Sequence, residues 1–323
     1  MNVLIVPGLT LPDVTAEQLA QMQEAAGADA TLTVARDREG AVAGIVTADV
    51  MLGPLNPAMF AVAERLKWVH AIASGVDGYL FPEFRDSDVT LTGEKGLVGG
   101  HLADHAFALL LAVTRGLGEA VKLGPDAWGP ARMGFRRTNI ELDGLTMGVV
   151  GFGGTGRAIA KRAAAFGMVC QAVDINAMDG SAEVDEVRTM DALDDLLRTS
   201  DVVAIGLPLT EETRELFDAR AFGLMKATAI IVNVTRGEII DGDALAVALN
   251  DGVIGGAALD VVPEEPLPAD HALWSAPNIV MTPHTAGASQ LRAQRNLDRF
   301  CTNLGRFRAG EPLDGMIDKQ LGF

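Results

Sequence analysis

Three glycines in the middle of the chain have a spacing that can bind a phosphate group. Gly151, Gly153 and Gly156 follow an apolar run and precede a helical pattern, in the stretch VVGFGGTGRAIA. The first glycine of such a turn permits a tight bend, the second lets the backbone approach a pyrophosphate, and the third lets helix and strand pack closely. The helix N-terminus adds amide donors and positive potential. The spacing therefore predicts a dinucleotide site; a glycine turn without a ligand is the simpler alternative.

A carboxylate stands where such a site would bind a ribose. Asp174 ends the next apolar run, and a carboxylate at this place can accept both ribose hydroxyls of NAD. The same carboxylate would face the additional phosphate of NADP. Two like charges about 4 Å apart repel by roughly 4 kcal/mol at an effective dielectric constant of about 20, before screening. We therefore predict that the cofactor is NAD.

The glycine turn belongs to a longer alternation of strand and helix patterns. Short runs rich in β-branched residues recur along the whole chain, and helical patterns separate them. This order is typical of parallel sheets covered by helices. The predicted strands are Asn2–Val6, Thr31–Ala35, Gly44–Thr47, Trp68–Ile72, Met147–Val150, Met168–Val173, Val202–Leu207, Ala229–Val234, Gly255–Asp260 and Ile279–Thr282.

Three longer helical patterns accompany these strands. They cover Pro57–Leu66, a stretch from about Gly99 to Gly118, and the final stretch Gly287–Phe307. The last pattern needs a surface to pack against, because its apolar residues recur on one face. That face is formed by Leu291, Leu297, Phe300 and Leu304.

Length and composition favour two compact domains. The chain has 323 residues, of which 49% are hydrophobic and 5% aromatic. A chain of this length is longer than one domain with a single hydrophobic core usually is. No apolar run is long enough to cross a bilayer. The 26 basic and 43 acidic side chains give a net charge of −17, which repels nucleic acid and anionic lipid. Because the chain opens on a predicted strand rather than a secretory signal, we predict a cytoplasmic protein.

The cysteine and histidine patterns do not predict a metal site. Cys170 and Cys301 are the only cysteines, too few for a disulfide framework or a four-thiolate site, and we interpret both as buried, inert thiols. His101 and His105 are one helical turn apart, as metal ligands can be. Because position 102 is Leu, the zinc-protease pattern HExxH is absent, and packing of this helix is the preferred interpretation.

Seven stretches carry a resemblance that extends over nearly the whole chain. They are SGVDG (Ser74–Gly78), HLADHAFALLLA (His101–Ala112), GFGGTGRAIA (Gly151–Ala160), GLPLTEETR (Gly206–Arg214), NVTRGEIID (Asn233–Asp241), ALDVVPEEPLP (Ala258–Pro268) and TPHTAG (Thr282–Gly287). In sequence, order and spacing they resemble the D-isomer-specific 2-hydroxyacid dehydrogenase family.

The resemblance implies an active site formed by Arg236, Glu265 and His284. Reducing a 2-keto acid builds negative charge on the carbonyl oxygen, so a proton donor is needed, and histidine titrates near neutral pH. His284 would be this acid, and Glu265 would bond its other ring nitrogen, fix the tautomer and favour the imidazolium. Arg236 would hold the substrate carboxylate and polarise the carbonyl. Taken singly, each has an ordinary alternative: a loop histidine, a solvated acid and an arginine that caps a strand.

The resemblance also implies the binding residues. The backbone amides of Gly75 and Val76 would bind the substrate carboxylate, and Asp260 corresponds to the family residue that contacts the nicotinamide amide. The other cofactor contacts, made mostly by backbone and apolar groups, would come from Gly151, Phe152, Gly153, Gly154, Thr155, Gly156, Asp174, Leu207, Pro208, Thr213, Val234, Thr235 and Gly287.

Two stretches depart from the family pattern. Gly154 and Thr155 stand where many members have Arg and a β-branched apolar residue, so backbone contacts to phosphate would remain without an Arg side chain. The stretch Leu91–Gly100 has glycines where many members carry Asn and Thr near the nicotinamide, which leaves the shape of the substrate pocket open.

Glu265 before Pro266 separates the chain from the formate dehydrogenase branch, which carries Gln. The pattern is closest to short reductases of glyoxylate and hydroxypyruvate.

The family fold implies two doubly wound parallel-sheet domains with the cleft between them. A flavodoxin-like substrate domain would comprise residues 1–98 and 290–323, and a Rossmann coenzyme domain residues 99–289. Members are usually homodimers through the coenzyme domain. The expected activity is NAD-dependent interconversion of a small 2-keto acid and its D-2-hydroxy acid. Two alternatives stay open: a non-enzymatic NAD sensor like the corepressors of this fold, and a dehydrogenase of another acid, such as phosphoglycerate, phosphite or an amino acid.

Overall fold

The computed structural model describes residues 1–323, which divide into two compact units. Unit 1 consists of Met1–Val98 and Ala288–Phe323, and unit 2 of Gly99–Gly287. Each unit is built on its own sheet, and nearly all strand pairs are parallel. The predicted α/β class with two parallel-sheet domains is therefore confirmed. No helix combines the length and the apolar character that a membrane span requires.

Unit 1 contains a five-stranded parallel sheet with the strand order β2-β1-β3-β4-β5. Its strands are β1 (Asn2–Ile5), β2 (Thr31–Val34), β3 (Val50–Leu52), β4 (Trp68–His70) and β5 (Thr90–Thr92). Its helices are α1 (Ala16–Ala26), α2 (Arg38–Ile45), α3 (Pro57–Phe60), α4 (Pro82–Arg85) and, from the end of the chain, α12 (Arg292–Ala309).

Helix α12 packs on one face of this sheet. Leu297, Phe300 and Leu304 are fully buried in a cluster that also contains Trp68 of β4. These three residues form the face that the sequence predicts. Leu291 does not belong to it, because it lies before the first residue of the helix and is 46% exposed.

Unit 2 contains an eight-stranded sheet with the order β13-β12-β11-β10-β6-β7-β9-β8, in which only β8 and β9 pair antiparallel. Its strands are β6 (Thr146–Val150), β7 (Val169–Asp174), β8 (Met178–Asp179), β9 (Glu186–Thr189), β10 (Val202–Ile205), β11 (Ile230–Asn233), β12 (Gly256–Leu259) and β13 (Ile279–Met281). Its helices are α5 (Gly99–Thr114), α6 (Leu117–Leu123), α7 (Arg132–Thr138), α8 (Gly154–Ala165), α9 (Leu193–Thr199), α10 (Ala219–Leu224) and α11 (Gly242–Asn250).

One predicted strand is wrong. The stretch Gly44–Thr47 continues helix α2 and the turn after it, and the strand of this region is β3. The helix begins because the side chain of Asp37 accepts a hydrogen bond from the amide of Gly40, at 2.7 Å. The predicted helix Pro57–Leu66 is also shorter, since α3 ends at Phe60.

Candidate active site

The predicted site residues of unit 2 lie at one edge of its sheet. Six neighbouring strands, from β13 to β7, are parallel, so their carboxyl ends meet at this edge. Ligands of open α/β sheets bind at this edge. The residues that follow or end these strands are Gly151 after β6, Asp174 in β7, Leu207 and Pro208 after β10, Val234, Thr235 and Arg236 after β11, Asp260 after β12, and His284 and Gly287 after β13.

In the glycine turn after β6, Gly151 and Gly156 leave no room for another residue type, whereas Gly153 faces open space. Gly151 has φ +92°, and a Cβ on Gly156 would lie 2.0 Å from the carbonyl oxygen of Gly151. A Cβ on Gly153, in contrast, would meet nothing within 4 Å. Helix α8 begins at the next residue and is 12 residues long, so its first amides are available to an anion. The turn therefore fits a pyrophosphate group.

The carboxylate at the end of β7 lies against this turn. One oxygen of Asp174 accepts a hydrogen bond of 2.6 Å from the backbone amide of Phe152, and the side chain is half-buried. The loop after β10 holds itself in place. The hydroxyl of Thr213 donates to the carbonyl of Pro208 and accepts from the amide of Thr210, each at 2.8 Å. Thr213 thus shapes the loop, and its hydroxyl is engaged within the protein.

A buried asparagine fixes the turn that carries Arg236. Asn233, which is fully buried at the end of β11, donates to the carbonyl of Arg236 at 2.7 Å and accepts from the amide and the hydroxyl of Thr235, each at 3.0 Å. The guanidinium in turn donates to the carbonyl of Thr235 at 2.9 Å. This positioning role of Asn233 was not predicted, although a polar residue that ends an apolar strand is a usable signal.

His284 and Glu265 form a direct pair. The ring Nδ1 of His284 lies 2.6 Å from Oε2 of Glu265, and the other carboxylate oxygen accepts from the amide of Val262 at 3.2 Å. The two side chains are 48% and 37% exposed. Because the carboxylate engages Nδ1, Nε2 is the ring nitrogen that could exchange a proton with another molecule. Such a pair can hold a proton at Nε2 and release it to a developing oxyanion.

The backbone of His284 has a left-handed conformation that a non-glycine residue rarely adopts. Its φ is +54°, and its amide donates to the carbonyls of Asp260 and Thr282, at 2.8 and 3.0 Å. Backbone strain of this kind persists where the surroundings over-determine it, and it concentrates at functional sites. The carboxylate of Asp260 supplies much of that restraint, because it accepts from the amides of Thr285 and Ala286, at 2.9 and 2.7 Å.

In unit 1, Gly75 and Val76 follow β4 at the carboxyl edge of the first sheet. The Val76 residue is 3% exposed. Neither backbone amide donates to a protein acceptor within this unit, so both are available to an anion.

The two thiols lie away from these strand ends, within β7 and α12. Both are half-buried rather than fully buried. Burial, together with the nearby carboxylate of Glu183, raises the pKa of Cys170 to about 11. Burial, together with Asp298, raises the pKa of Cys301 to about 11 as well. Both thiols are therefore neutral near pH 7, and neither is a nucleophile of this site.

Comparison with known proteins assigns the family. Residues 107–286 match the model described as D-isomer specific 2-hydroxyacid dehydrogenase, NAD binding domain. The chain belongs to the D-isomer-specific 2-hydroxyacid dehydrogenase family. The family predicted from the seven sequence stretches is thus confirmed. This dehydrogenase accordingly contains an NAD(P)-binding domain, and the matched residues lie within unit 2.

Several relatives cover most of the chain. A glyoxylate reductase of Korarchaeum cryptofilum is 34% identical over 278 residues, 84% of this chain and 82% of its own. A glycerate dehydrogenase of Methylorubrum extorquens is 32% identical, over 76% and 77% of the two chains. The solved NADPH-dependent glyoxylate/hydroxypyruvate reductase of Sinorhizobium meliloti, in complex with NADP and sulfate, is 25% identical, covers 100% of both chains and has a TM-score of 0.79.

Proposed function

We propose that this dehydrogenase is an NAD-dependent reductase of small 2-keto acids such as glyoxylate and hydroxypyruvate, and that it forms the D-2-hydroxy acid. The observation that carries the proposal is the 2.6 Å pair of His284 and Glu265 at the same sheet edge as the glycine turn. The relatives named glyoxylate reductase and glycerate dehydrogenase support this substrate class.

In this proposal His284 is the general acid. When bound, the reduced nicotinamide supplies a hydride to the keto carbon. As negative charge develops on the carbonyl oxygen, His284 gives it the proton held at Nε2. Glu265 keeps Nδ1 engaged and so holds the ring with Nε2 toward that oxygen. In the reverse direction the neutral ring accepts the hydroxyl proton, so the same pair serves both directions.

Arg236 is proposed to bind the substrate carboxylate and to polarise the carbonyl. A guanidinium stays charged at every working pH and offers donors in one plane, which suits a carboxylate. The turn fixed by Asn233 places this side chain at the carboxyl end of β11, next to the strand that precedes Asp260. We further propose that the amides of Gly75 and Val76 bind a substrate carboxylate, that unit 1 is the substrate domain and that unit 2 is the coenzyme domain.

NAD is proposed over NADP because of Asp174. Its carboxylate lies against the glycine turn, where it would accept ribose hydroxyls and repel an additional phosphate. A solved relative binds NADP, so the family fold alone does not decide between the two cofactors. The half-exposed position of Asp174 means that solvent screens part of the repulsion.

Unit 2 is proposed to form a homodimer through its α6–α7 segment. Four large apolar side chains of this segment are exposed, by 51%, 81%, 84% and 53% for Leu117, Val121, Trp128 and Met133. Clustered exposed apolar residues mark interaction sites, and a twofold dimer buries the same patch on both copies. Light scattering should give twice the chain mass of 33.9 kDa, and Trp128→Glu should lower it. A single chain mass at micromolar concentration would remove this part of the proposal.

A steady-state assay tests the proposed activity. Oxidation of NADH is followed with glyoxylate, hydroxypyruvate, pyruvate and bulkier keto acids. Reduction of NAD is followed with phosphite-type and amino-acid substrates. Each reaction is repeated with NADPH or NADP. The proposal predicts the highest kcat/KM for NADH with the two small keto acids. NADH binding without turnover of any acid would instead support a sensor, and preference for another acid would reassign the substrate.

A further inference from the structure

A histidine of helix α5 contacts the loop that carries His284. The ring Nε2 of His105 lies 2.8 Å from the hydroxyl oxygen of Thr282 and 3.2 Å from Oδ1 of Asp260. All of these residues belong to unit 2. The imidazole is 24% exposed and the carboxylate is fully buried. From sequence we expected this helix to serve in packing and domain hinging, so the contact is a feature that the local pattern did not reveal.

The hydrogen bonds around Thr282 fix the proton on His105. The hydroxyl of Thr282 donates its one hydrogen to Oδ1 of Asp260, at 2.6 Å. The same oxygen can then only accept from His105, so Nε2 of His105 carries a hydrogen. That N–H donates to the hydroxyl oxygen of Thr282, and the carboxylate of Asp260 lies beside the same nitrogen. His105 is thus a donor in the neutral and in the protonated state.

Asp260 transmits this contact to His284. One carboxylate oxygen accepts from the hydroxyl of Thr282 and the amide of Thr285, and Nε2 of His105 lies 3.2 Å from it. The other oxygen accepts from the amide of Ala286 at 2.7 Å. The backbone carbonyl of Asp260 accepts the amide of His284, whose φ is +54°. Residues on both sides of His284 are therefore bonded to one buried aspartate. A buried carboxylate is stable only when donors saturate it, and the Thr282 hydroxyl that donates to Asp260 is itself held by His105, which comes from outside the loop.

We propose that His105 is a positioning residue for the acid-base reaction, acting on His284 through Thr282 and Asp260. The inference rests on the proposed function, since it assigns a second histidine to the same site. Without the His105 donor, Thr282 loses a fixed hydrogen-bond partner and Asp260 loses the neighbouring imidazole, so the left-handed turn at His284 loses part of its restraint. The imidazole of His284 then samples orientations in which Nε2 does not reach the reacting oxygen.

The test compares two substitutions at position 105. His105→Phe keeps a planar ring but removes the donor, whereas His105→Gln places an amide N–H near the original Nε2. We expect His105→Phe to lower kcat by about 10-fold to 100-fold, as loss of an outer hydrogen-bond partner commonly does. The KM for the keto acid and the Kd for NADH stay within twofold, and His105→Gln recovers most of the lost kcat.

A double-mutant cycle tests the route through Thr282. Thr282→Val removes the hydroxyl that accepts from His105. If both residues act through the same hydrogen bond, the variant that carries His105→Phe and Thr282→Val has the kcat of the less active single variant, because the effects of substitutions in one hydrogen-bond network do not add. Multiplying effects on kcat would overturn the proposed route. Asp104→Asn is the matched control. Asp104 lies next to His105 in α5 and forms an ion pair with Arg162 of α8, and we expect its substitution to leave kcat unchanged.

Amide hydrogen exchange separates this inference from the proposed function. The amides of Thr285 and Ala286 donate to Asp260, so His105→Phe should speed their exchange and His105→Gln should not. This readout needs no turnover. A wild-type enzyme without activity on any keto acid would remove the proposed function, yet faster exchange in His105→Phe would still show the restraint. Unchanged exchange together with unchanged kcat in His105→Phe would overturn the inference itself.

Discussion

One carboxylate oxygen of Asp174 lies 2.6 Å from the backbone nitrogen of Phe152, within the glycine turn that follows β6. This hydrogen bond fixes a negative charge beside the place where the helix α8 amides begin. The turn therefore offers donors to a pyrophosphate and, next to them, an acceptor for ribose hydroxyls. The relationship ties cofactor choice to a single side chain.

Replacing that side chain should weaken the preference for NADH. We expect Asp174→Ala to lower the ratio of kcat/KM for NADH to kcat/KM for NADPH by at least about tenfold, because repulsion of the additional phosphate and the ribose acceptor are lost together. Steady-state kinetics with both cofactors measures the ratio. Asp179→Ala, on the exposed surface of β8, is the control. A ratio that stays within twofold of wild type would rule out Asp174 as its source.

Two glycines of the turn should respond differently to an added methyl group. Gly153→Ala is expected to raise the Kd for NADH by about tenfold or more without changing the Tm, because its Cβ meets no protein atom within 4 Å but enters the space assigned to phosphate. Gly156→Ala should lower the Tm, because its Cβ would lie 2.0 Å from the Gly151 carbonyl oxygen. Fluorescence titration and thermal unfolding give both values. Normal NADH binding by Gly153→Ala would show that the phosphate groups of the cofactor do not lie at this turn.

A buried ion pair in unit 1 should contribute strongly to stability. The carboxylate of Glu94 is 1% exposed and accepts from Arg292, through Nη2 at 2.6 Å and Nε at 3.0 Å. Removing one partner leaves a buried charge, so Arg292→Ala should lower the free energy of unfolding by about 3–5 kcal/mol. Arg306→Ala breaks an exposed pair with Asp314 and should cost about 0–1 kcal/mol. Urea unfolding measures both, and equal losses would contradict the burial argument.

The buried ring of His70 should make stability depend on pH. Its Nδ1 lies 2.7 Å from the hydroxyl oxygen of Thr92, and burial, reinforced by Arg299, lowers the pKa of His70 from 6.5 to about 3. Between these values the unfolded chain binds a proton that the folded chain does not, so the free energy of unfolding falls as pH falls, by up to about 1.4 kcal/mol per pH unit. We expect the free energy of unfolding of wild type to lose its advantage over that of His70→Gln as pH falls from about 6.5 toward 3. Urea unfolding at several pH values measures both, and a difference in the free energy of unfolding that stays constant with pH would contradict this.

Much of the fold could be predicted because its signals are local. The strands that end at Val150 and Asn233 are apolar runs that end at a glycine or a polar residue, which is the pattern of a buried parallel strand. The error at Gly44–Thr47 has a local cause as well. Its β-branched residues suggest a strand, but the Asp37 cap and the burial of Ile45 favour the helix.

The candidate site was predictable in its residue types and less so in its supports. Glu265 and His284 could be named from sequence, whereas the proximity of His105 to Asp260 could not. These two residues are far apart in the chain and meet only because α5 packs beside the ends of β12 and β13. Hydrogen bonds of this kind depend on the register between elements, which periodicity does not encode.

The kcat of His284→Ala for glyoxylate reduction at saturating NADH tests the central claim most directly. If His284, held by Glu265, supplies the proton, kcat falls by about 100-fold to 10,000-fold relative to wild type, while the Kd for NADH stays within twofold. A kcat within tenfold of wild type, with NADH bound normally, would contradict the assignment of the acid and leave the pair without a role in the reaction.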